Sequence, residues 1–251
     1  MVIESKNTKA CIVVPLFFAK RRRTFKGADD VLSLAKYTVD RYKNLDTGLP
    51  TDIIFVNNSP YEKSGTSFLN SINGKNSYSG RFIVIEGDNI GMSYGAFNKA
   101  FTTFTNQYDI WCFTEDDIIY TGKNFLAIAE SQLNSDKEIG FVSACGFQTG
   151  PNSCAHAGAG CSTSKILSEV VEKYGRLPHS DKEANLTNNA EYKREQIING
   201  EIAFTNCYSK MGYKLALIDC DERPFIRWSR EDSHLLNEID MQTWGSTESV
   251  I

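Results

Sequence analysis

Residues 108 to 120 read YDIWCFTEDDIIY, an apolar run that passes directly into Glu115, Asp116 and Asp117. Adjacent carboxylates repel one another unless a cation sits between them, and hard oxygen donors suit Mg2+ or Mn2+. On an extended chain, positions 115 and 117 point to one side and 116 to the other, so Glu115 and Asp117 are expected to face a common ligand, with Asp116 turned away. The competing reading is a solvated turn. The stretch Ile110-Trp111-Cys112-Phe113 before the acids reads as buried, which argues for a position at the rim of a sheet instead.

A second group lies in DNIGMSYGAFNKAF, residues 88 to 101. Asn89 and Gly91 suit a tight strand-to-helix turn, Gly95 permits close approach of backbone, and the Asn98 amide could reach back toward the turn. Backbone at a helix N-terminus favours an anionic or polar ligand, although such turns also serve packing alone. The third group is Glu231-Asp232. Ser229 followed three residues later by Asp232 fits a helix cap, and acids suit a first helical turn in any case.

These groups need elements to position them. Short apolar runs at 11 to 17, 51 to 60, 81 to 89, 108 to 120 and 139 to 147 alternate with segments of helical period at 27 to 45, 92 to 104 and 124 to 134. Runs apolar on both faces and separated by helices predict an α/β fold with a mostly parallel sheet covered on both sides. In such sheets ligands gather at the carboxyl ends of the strands, here at Pro15, at Asn57-Asn58-Ser59 and at the acidic triplet. The stretch from about 148 to 200 is polar and glycine-rich and reads as an insertion of mobile loops over the site. No domain boundary or internal repeat stands out, so 1 to 251 is expected to be one domain.

The chain has 251 residues, 41% of them hydrophobic, and a net charge of -4, an ordinary globular composition with no electrostatic case for nucleic-acid binding. No apolar run of membrane-spanning length and no basic-then-apolar leader is evident. Seven cysteines scattered without CxxC spacing read as reduced thiols of a cytosolic protein, with neither a zinc site nor a disulfide framework. The basic run Lys20 to Arg23 reads as a solvated loop, the alternatives being a diphosphate contact or peripheral contact with an anionic membrane.

The pieces IVVPLF, IIFVNNS, GDNIGMSYGAFNKAF, IWCFTEDDIIYTGKNFL and RWSREDSHLL, in this order, together resemble nucleotide-sugar glycosyltransferases of the GT-A (Rossmann-like) fold, especially glycosyltransferase family 2. The resemblance spans most of the chain except about 148 to 200. It implies donor binding by Pro15, Asn57, Asn89, Gly91, Asn98, Glu115 and Asp116, with Asn57 standing where relatives usually carry Asp. It implies a D-x-D-like pair in which Asp117 is the direct ligand of Mn2+ or Mg2+ and Glu115 its partner. An inverting transfer needs a carboxylate to accept the proton of the attacking hydroxyl. The resemblance assigns that role to Asp232, with Glu231 orienting the acceptor and Trp228 stacking on a sugar. His234 is a weaker metal candidate, and His156 and His179 weaker still. The implied activity is hexosyl or deoxyhexosyl transfer from a nucleoside-diphosphate sugar, UDP favoured, to a hydroxyl of a glycan or lipid-linked glycan. The rivals are a sugar-phosphate nucleotidyltransferase, which usually has glycines in the loop after the first strand, and a non-catalytic glycan-binding relative.

Overall fold

In the computed structural model, the described residues are 8 to 18, 31 to 148, 154 to 155, 158 to 182, 194 to 221 and 224 to 227. Strand β1 (Ala10–Leu16) is ACIVVPL and is buried along its whole length, which requires partners on both edges and both faces. It pairs in parallel with β2 (Thr51–Asn57) on one side and β4 (Ile110–Phe113) on the other. Beyond β2 lies β3 (Phe82–Glu86), also parallel. The seven-stranded sheet is completed by β6 (Ile139–Ser143), β9 (Gly160–Thr163) and β10 (Lys214–Leu217), in the order β10-β6-β9-β4-β1-β2-β3. Only β9 runs antiparallel to both of its neighbours.

The two-residue period of β1 divides the core. Ala10, Ile12, Val14 and Leu16 join a cluster with helices α1 (Val31–Tyr42) and α4 (Phe125–Ser135). Cys11 and Val13 face the opposite cluster, built on α3 (Met92–Thr103), α5 (Ser164–Tyr174) and α6 (Ala203–Lys210). Each large side chain fully buried here, such as Phe97, Phe113 or Phe141, contributes about 1.5–3 kcal/mol of transfer free energy. Helix α2 (Lys63–Ile72) follows β2. All seven cysteines are free thiols, six of them buried. Among the described residues no helix is long and apolar enough to cross a membrane.

The stretch expected as an insertion differs from expectation. Its residues 160–163 form β9, a central strand, in which Gly160 has no room for a side chain. A Cβ on Gly160 would lie 2.3 Å from the Val142 carbonyl oxygen and 2.6 Å from Cε1 of Phe141. Helix α5 follows directly. Its Thr163 hydroxyl caps the first turn by accepting the Ile166 N–H at 3.2 Å, and it ends at Gly175 with φ of 81°. Short strands β5 (Ile118–Tyr120) and β11 (Phe225–Arg227) pair antiparallel outside the main sheet, as do β7 (Phe147–Gln148) and β8 (Cys154–Ala155).

Candidate active site

Parallel register brings the ends of β1, β2 and β4 to one rim, with Leu16 opposite Asn57 and Val13 opposite Phe113. There the Asn58 N–H donates to the Leu16 carbonyl at 2.8 Å, and the Phe18 N–H donates to the Ser59 hydroxyl at 2.7 Å. Asn57 ends β2 by turning its side chain inward. Its Oδ1 accepts the Ser59 N–H at 3.1 Å and its Nδ2 donates to the Thr66 hydroxyl on α2 at 3.0 Å. The residue is 2% exposed, so its amide serves the turn and does not reach the cleft. Its neighbour Asn58 lines the cleft, together with Pro15, Phe17, Asn89, Ser93 and Asp116.

The acidic triplet departs from the extended geometry that sequence alternation assumed. Strand β4 stops at Phe113, and residues 115–118 form a turn in which the Ile118 N–H donates to the Glu115 carbonyl at 3.2 Å. The buried Thr114 hydroxyl donates to the Ile118 carbonyl at 2.7 Å, and the Tyr120 hydroxyl to the Phe113 carbonyl at 2.9 Å. Within this bolted turn Asp116 borders the cleft, Glu115 is half-buried, and Asp117 is 1% exposed. Asp116, expected to turn away, therefore borders the cleft. A tight turn rotates side chains by other angles than a strand does.

The third wall is the turn into α3. Asn89, Gly91 and Met92 all have positive φ, at 60°, 68° and 53°. Asp88 Oδ1 accepts the Ile90 N–H at 3.0 Å, and Asn58 Nδ2 donates to the Met92 carbonyl at 3.3 Å, tying this turn to the β2 rim. No side chain caps α3. Met92 and Ser93 line the cleft, so the first turn, whose N–H groups have no intrahelical acceptors, borders it with its positive dipole end. Gly95 lies so close to the preceding turn that a Cβ there would meet the Ile90 carbonyl oxygen at 1.7 Å. Asn98 does not reach the turn. Its Oδ1 accepts the Leu177 N–H at 3.0 Å and so anchors the loop that follows α5.

That loop, residues 175–182, lies within the 148 to 200 stretch expected to carry loops over the site. It lies on the α3 turn, where the Gly91 N–H donates to the Lys182 carbonyl at 3.1 Å and the His179 ring packs against Gly91. The His179 Nδ1 sits 2.7 Å from the Leu177 carbonyl, which assigns the proton to Nδ1. Burial, outweighing the nearby carboxylates, holds the His179 pKa below its ordinary 6.5. The signals for this region were Thr163 as a cap, Ile166, Leu167 and Val170 at helical spacing, and Gly175 as a stop.

Trp228, Glu231, Asp232, His234, His156 and the run Lys20 to Arg23 lie outside the described residues. The strand before them does not: β11 pairs Arg227 with Ile118, next to Asp117. Among the described residues no group of three or more His, Cys, Asp or Glu side chains is arranged to hold a metal ion. Asp116 and Glu115 fit a different mode, in which one or two carboxylates and a substrate's phosphates share a hard cation.

No family model matches this chain, and no curated protein sequence matches it. Solved structures do share its fold. The mannosyltransferase PcManGT from Pyrobaculum calidifontis, solved with GDP-Man and Mn2+, aligns with a TM-score of 0.52 at 14% identity, covering 85% of this chain and 55% of that one. The chain thus spans about half the length of that enzyme. A 4-diphosphocytidyl-2C-methyl-D-erythritol synthase aligns at 0.47 and 12% identity, covering 93% of this chain and 98% of the other. TarS from S. aureus aligns at 0.45 and 10%, covering 87% and 36%. The architecture is the mixed α/β, Rossmann-like one of the mannosyltransferase.

Proposed function

We propose that this chain is a glycosyltransferase that moves a sugar, with inversion, from a nucleoside-diphosphate sugar to a hydroxyl of a glycan or lipid-linked glycan, UDP being the favoured nucleotide. One observation carries the reading. The cleft at the carboxyl rim of β1 and β2 is bordered at once by an acidic residue, Asp116, and by the first turn of α3, whose dipole favours an anion. A pocket that offers a carboxylate and a helix N-terminus together suits a diphosphate accompanied by a divalent cation, because neither wall alone would accept both charges.

In this reading the nucleoside lies along Pro15, Phe17 and Asn58, where the Asn58 amide is able both to donate and to accept. Asp116, with Glu115 beside it, holds Mn2+ or Mg2+. The bound cation supplies charge stabilisation to the departing diphosphate. The α3 turn orients the phosphates. Asp232 accepts the acceptor hydroxyl's proton, with Glu231 and Trp228 orienting the incoming sugar. Asp232 follows, five positions on in sequence, from Arg227 at the end of the strand that pairs beside the acids.

The test is a thermal-shift series with UDP-, GDP- and dTDP-sugars, with and without Mn2+. A ligand at a hundred times its Kd stabilises the native state by about 2.7 kcal/mol. We expect one nucleotide series to raise the melting temperature in a Mn2+-dependent way, and Asp116→Asn to abolish the shift without unfolding the protein. Asp232→Asn is expected to keep the shift and lose transfer. If no nucleotide sugar stabilises the chain, the reading fails.

A further inference from the structure

On the other side of the α3 turn lies a second, larger cleft of about 620 Å³, lined by the 175–182 loop and by residues from Glu195 to Lys210. Its size falls within the roughly 300–1,000 Å³ usual for small-molecule sites. The two clefts share a wall: Asn89, Met92 and Ser93 face one, while His179, Ser180 and Lys182 face the other.

Four of the five charged side chains lining this cleft are paired with each other, and Lys210 is the fifth. Arg176 pairs with Asp181, and Lys182 with Glu195. Ser180 donates its hydroxyl to Glu195 at 3.2 Å and accepts the Lys182 N–H at 3.2 Å, so the pairs are held by the loop itself. With the His179 proton on Nδ1, its Nε2 is left as an acceptor nitrogen. A lining of this kind has donors and acceptors in comparable number and its charges largely compensated. An anion would have to compete with Asp181 and Glu195 for Arg176 and Lys182. A hydroxyl, which both donates and accepts, can add to either partner without displacing the other. At the rim stands Tyr174, 40% exposed, a flat aromatic surface of the kind that covers the C–H face of a pyranose.

The floor carries a second sign of function. Residues Ile197–Ile202 form a π-helix, a conformation frequent at functional sites, and Asn199 within it lines the cleft. The wide turn is accommodated by Gly200, where a Cβ would lie 2.7 Å from Cδ2 of Tyr94 on α3. Just before it, Gln196 is 7% exposed, yet neither of its amide atoms has a hydrogen-bond partner among the described residues. Native structures rarely leave such a group unpaired.

We propose that this cleft is a saccharide site for an uncharged pyranose unit, stacked on Tyr174 and hydrogen-bonded by the Arg176–Asp181 and Lys182–Glu195 pairs. Its assignment to the acceptor glycan rests on the transferase reading above. Saccharide binding itself does not.

The full chain should be titrated, without nucleotide, with the methyl glycosides of glucose, galactose, mannose and N-acetylglucosamine, and separately with inorganic phosphate and glucuronate, followed by saturation-transfer NMR. At least one neutral glycoside is expected to bind, to weaken tenfold or more with Tyr174→Ala and with Asp181→Ala, and to be retained by Tyr174→Phe, which keeps the ring. The proposal is overturned if no neutral glycoside binds, if only phosphate or glucuronate binds, or if binding survives both alanine changes. All these positions are on the rim, so folding is expected to persist, and unchanged urea midpoints check it. A chain that binds a glycoside but no nucleotide sugar would keep the saccharide site and reject the transferase. A chain that binds a nucleotide sugar but no glycoside would do the reverse.

Discussion

Gly91 offers the most quantitative test of how the two clefts are joined. Its φ is 68°, a conformation that costs an L-residue with a Cβ about 1–2 kcal/mol. A Cβ would also lie 2.8 Å from the Ser180 carbonyl oxygen and 2.8 Å from Cδ2 of His179, against a loop that Asn98 and the Lys182 carbonyl hold in place. Overpacking of this kind typically costs about 1–3 kcal/mol more. Gly91→Ala should therefore destabilise the fold by about 2–5 kcal/mol in all. Gly74 provides the control. Its φ is 78° and a Cβ there meets nothing within 4 Å, so Gly74→Ala should show the conformational cost alone, about 1–2 kcal/mol. The difference between the two variants, measured by urea unfolding at a common m-value, isolates the contact between turn and loop. If Gly91→Ala costs no more than Gly74→Ala, the loop does not rest on the turn, and the shared wall between the clefts is wrong.

Two further outcomes follow from single hydrogen bonds and charges. Asn57→Asp, the residue usual among the relatives it resembles, should destabilise the chain by about 1–3 kcal/mol, because the Thr66 hydroxyl already donates to the Pro60 carbonyl at 3.0 Å and would then face a buried carboxylate. An urea midpoint unchanged from wild type would return Asn57 to the list of residues free to meet a ligand. For His179 the folded pKa lies below 6.5, so the unfolded chain binds the proton more tightly. Its contribution is complete above about pH 6.5 and is lost as pH falls from there through the folded value, with Asp88, Asp181 and Arg176 as the charges that face it. Urea midpoints of wild type and His179→Gln between pH 5 and 7.5 should diverge in this direction. Parallel curves would refute it.

The sheet was readable because five strands are apolar on both faces, and a run such as CIVVPLF has no other low-cost place than the middle of a covered sheet. Strand β9 escaped notice for the opposite reason. GCST is small and polar, and it lies centrally only because Phe141 and the Val142 backbone fill the space that side chains would need. The acids at 115–117 were found by composition, but Asp116 borders the cleft from which it was expected to turn away. Alternation holds only while the chain stays extended, and Thr114 with Tyr120 bends it into a turn one residue after β4 ends. Asn89 and Gly91 were legible from turn chemistry. Asn98 was expected to reach back to the turn, whereas its partner proved to be a loop 79 positions away in sequence.

The sequence by itself therefore determined the layered α/β architecture, the rim formed by the carboxyl ends of the strands and the chemical types available there, because those follow from periodicity, breakers and side-chain chemistry along a short stretch. Which acid borders the cleft, which asparagine is spent on the backbone, and that a second polar cleft backs onto the first were decided only by tertiary structure. Each depends on groups far apart in the chain, the Asn57–Thr66, Asn98–Leu177 and Gly91–Lys182 contacts among them, whose geometry no local pattern encodes.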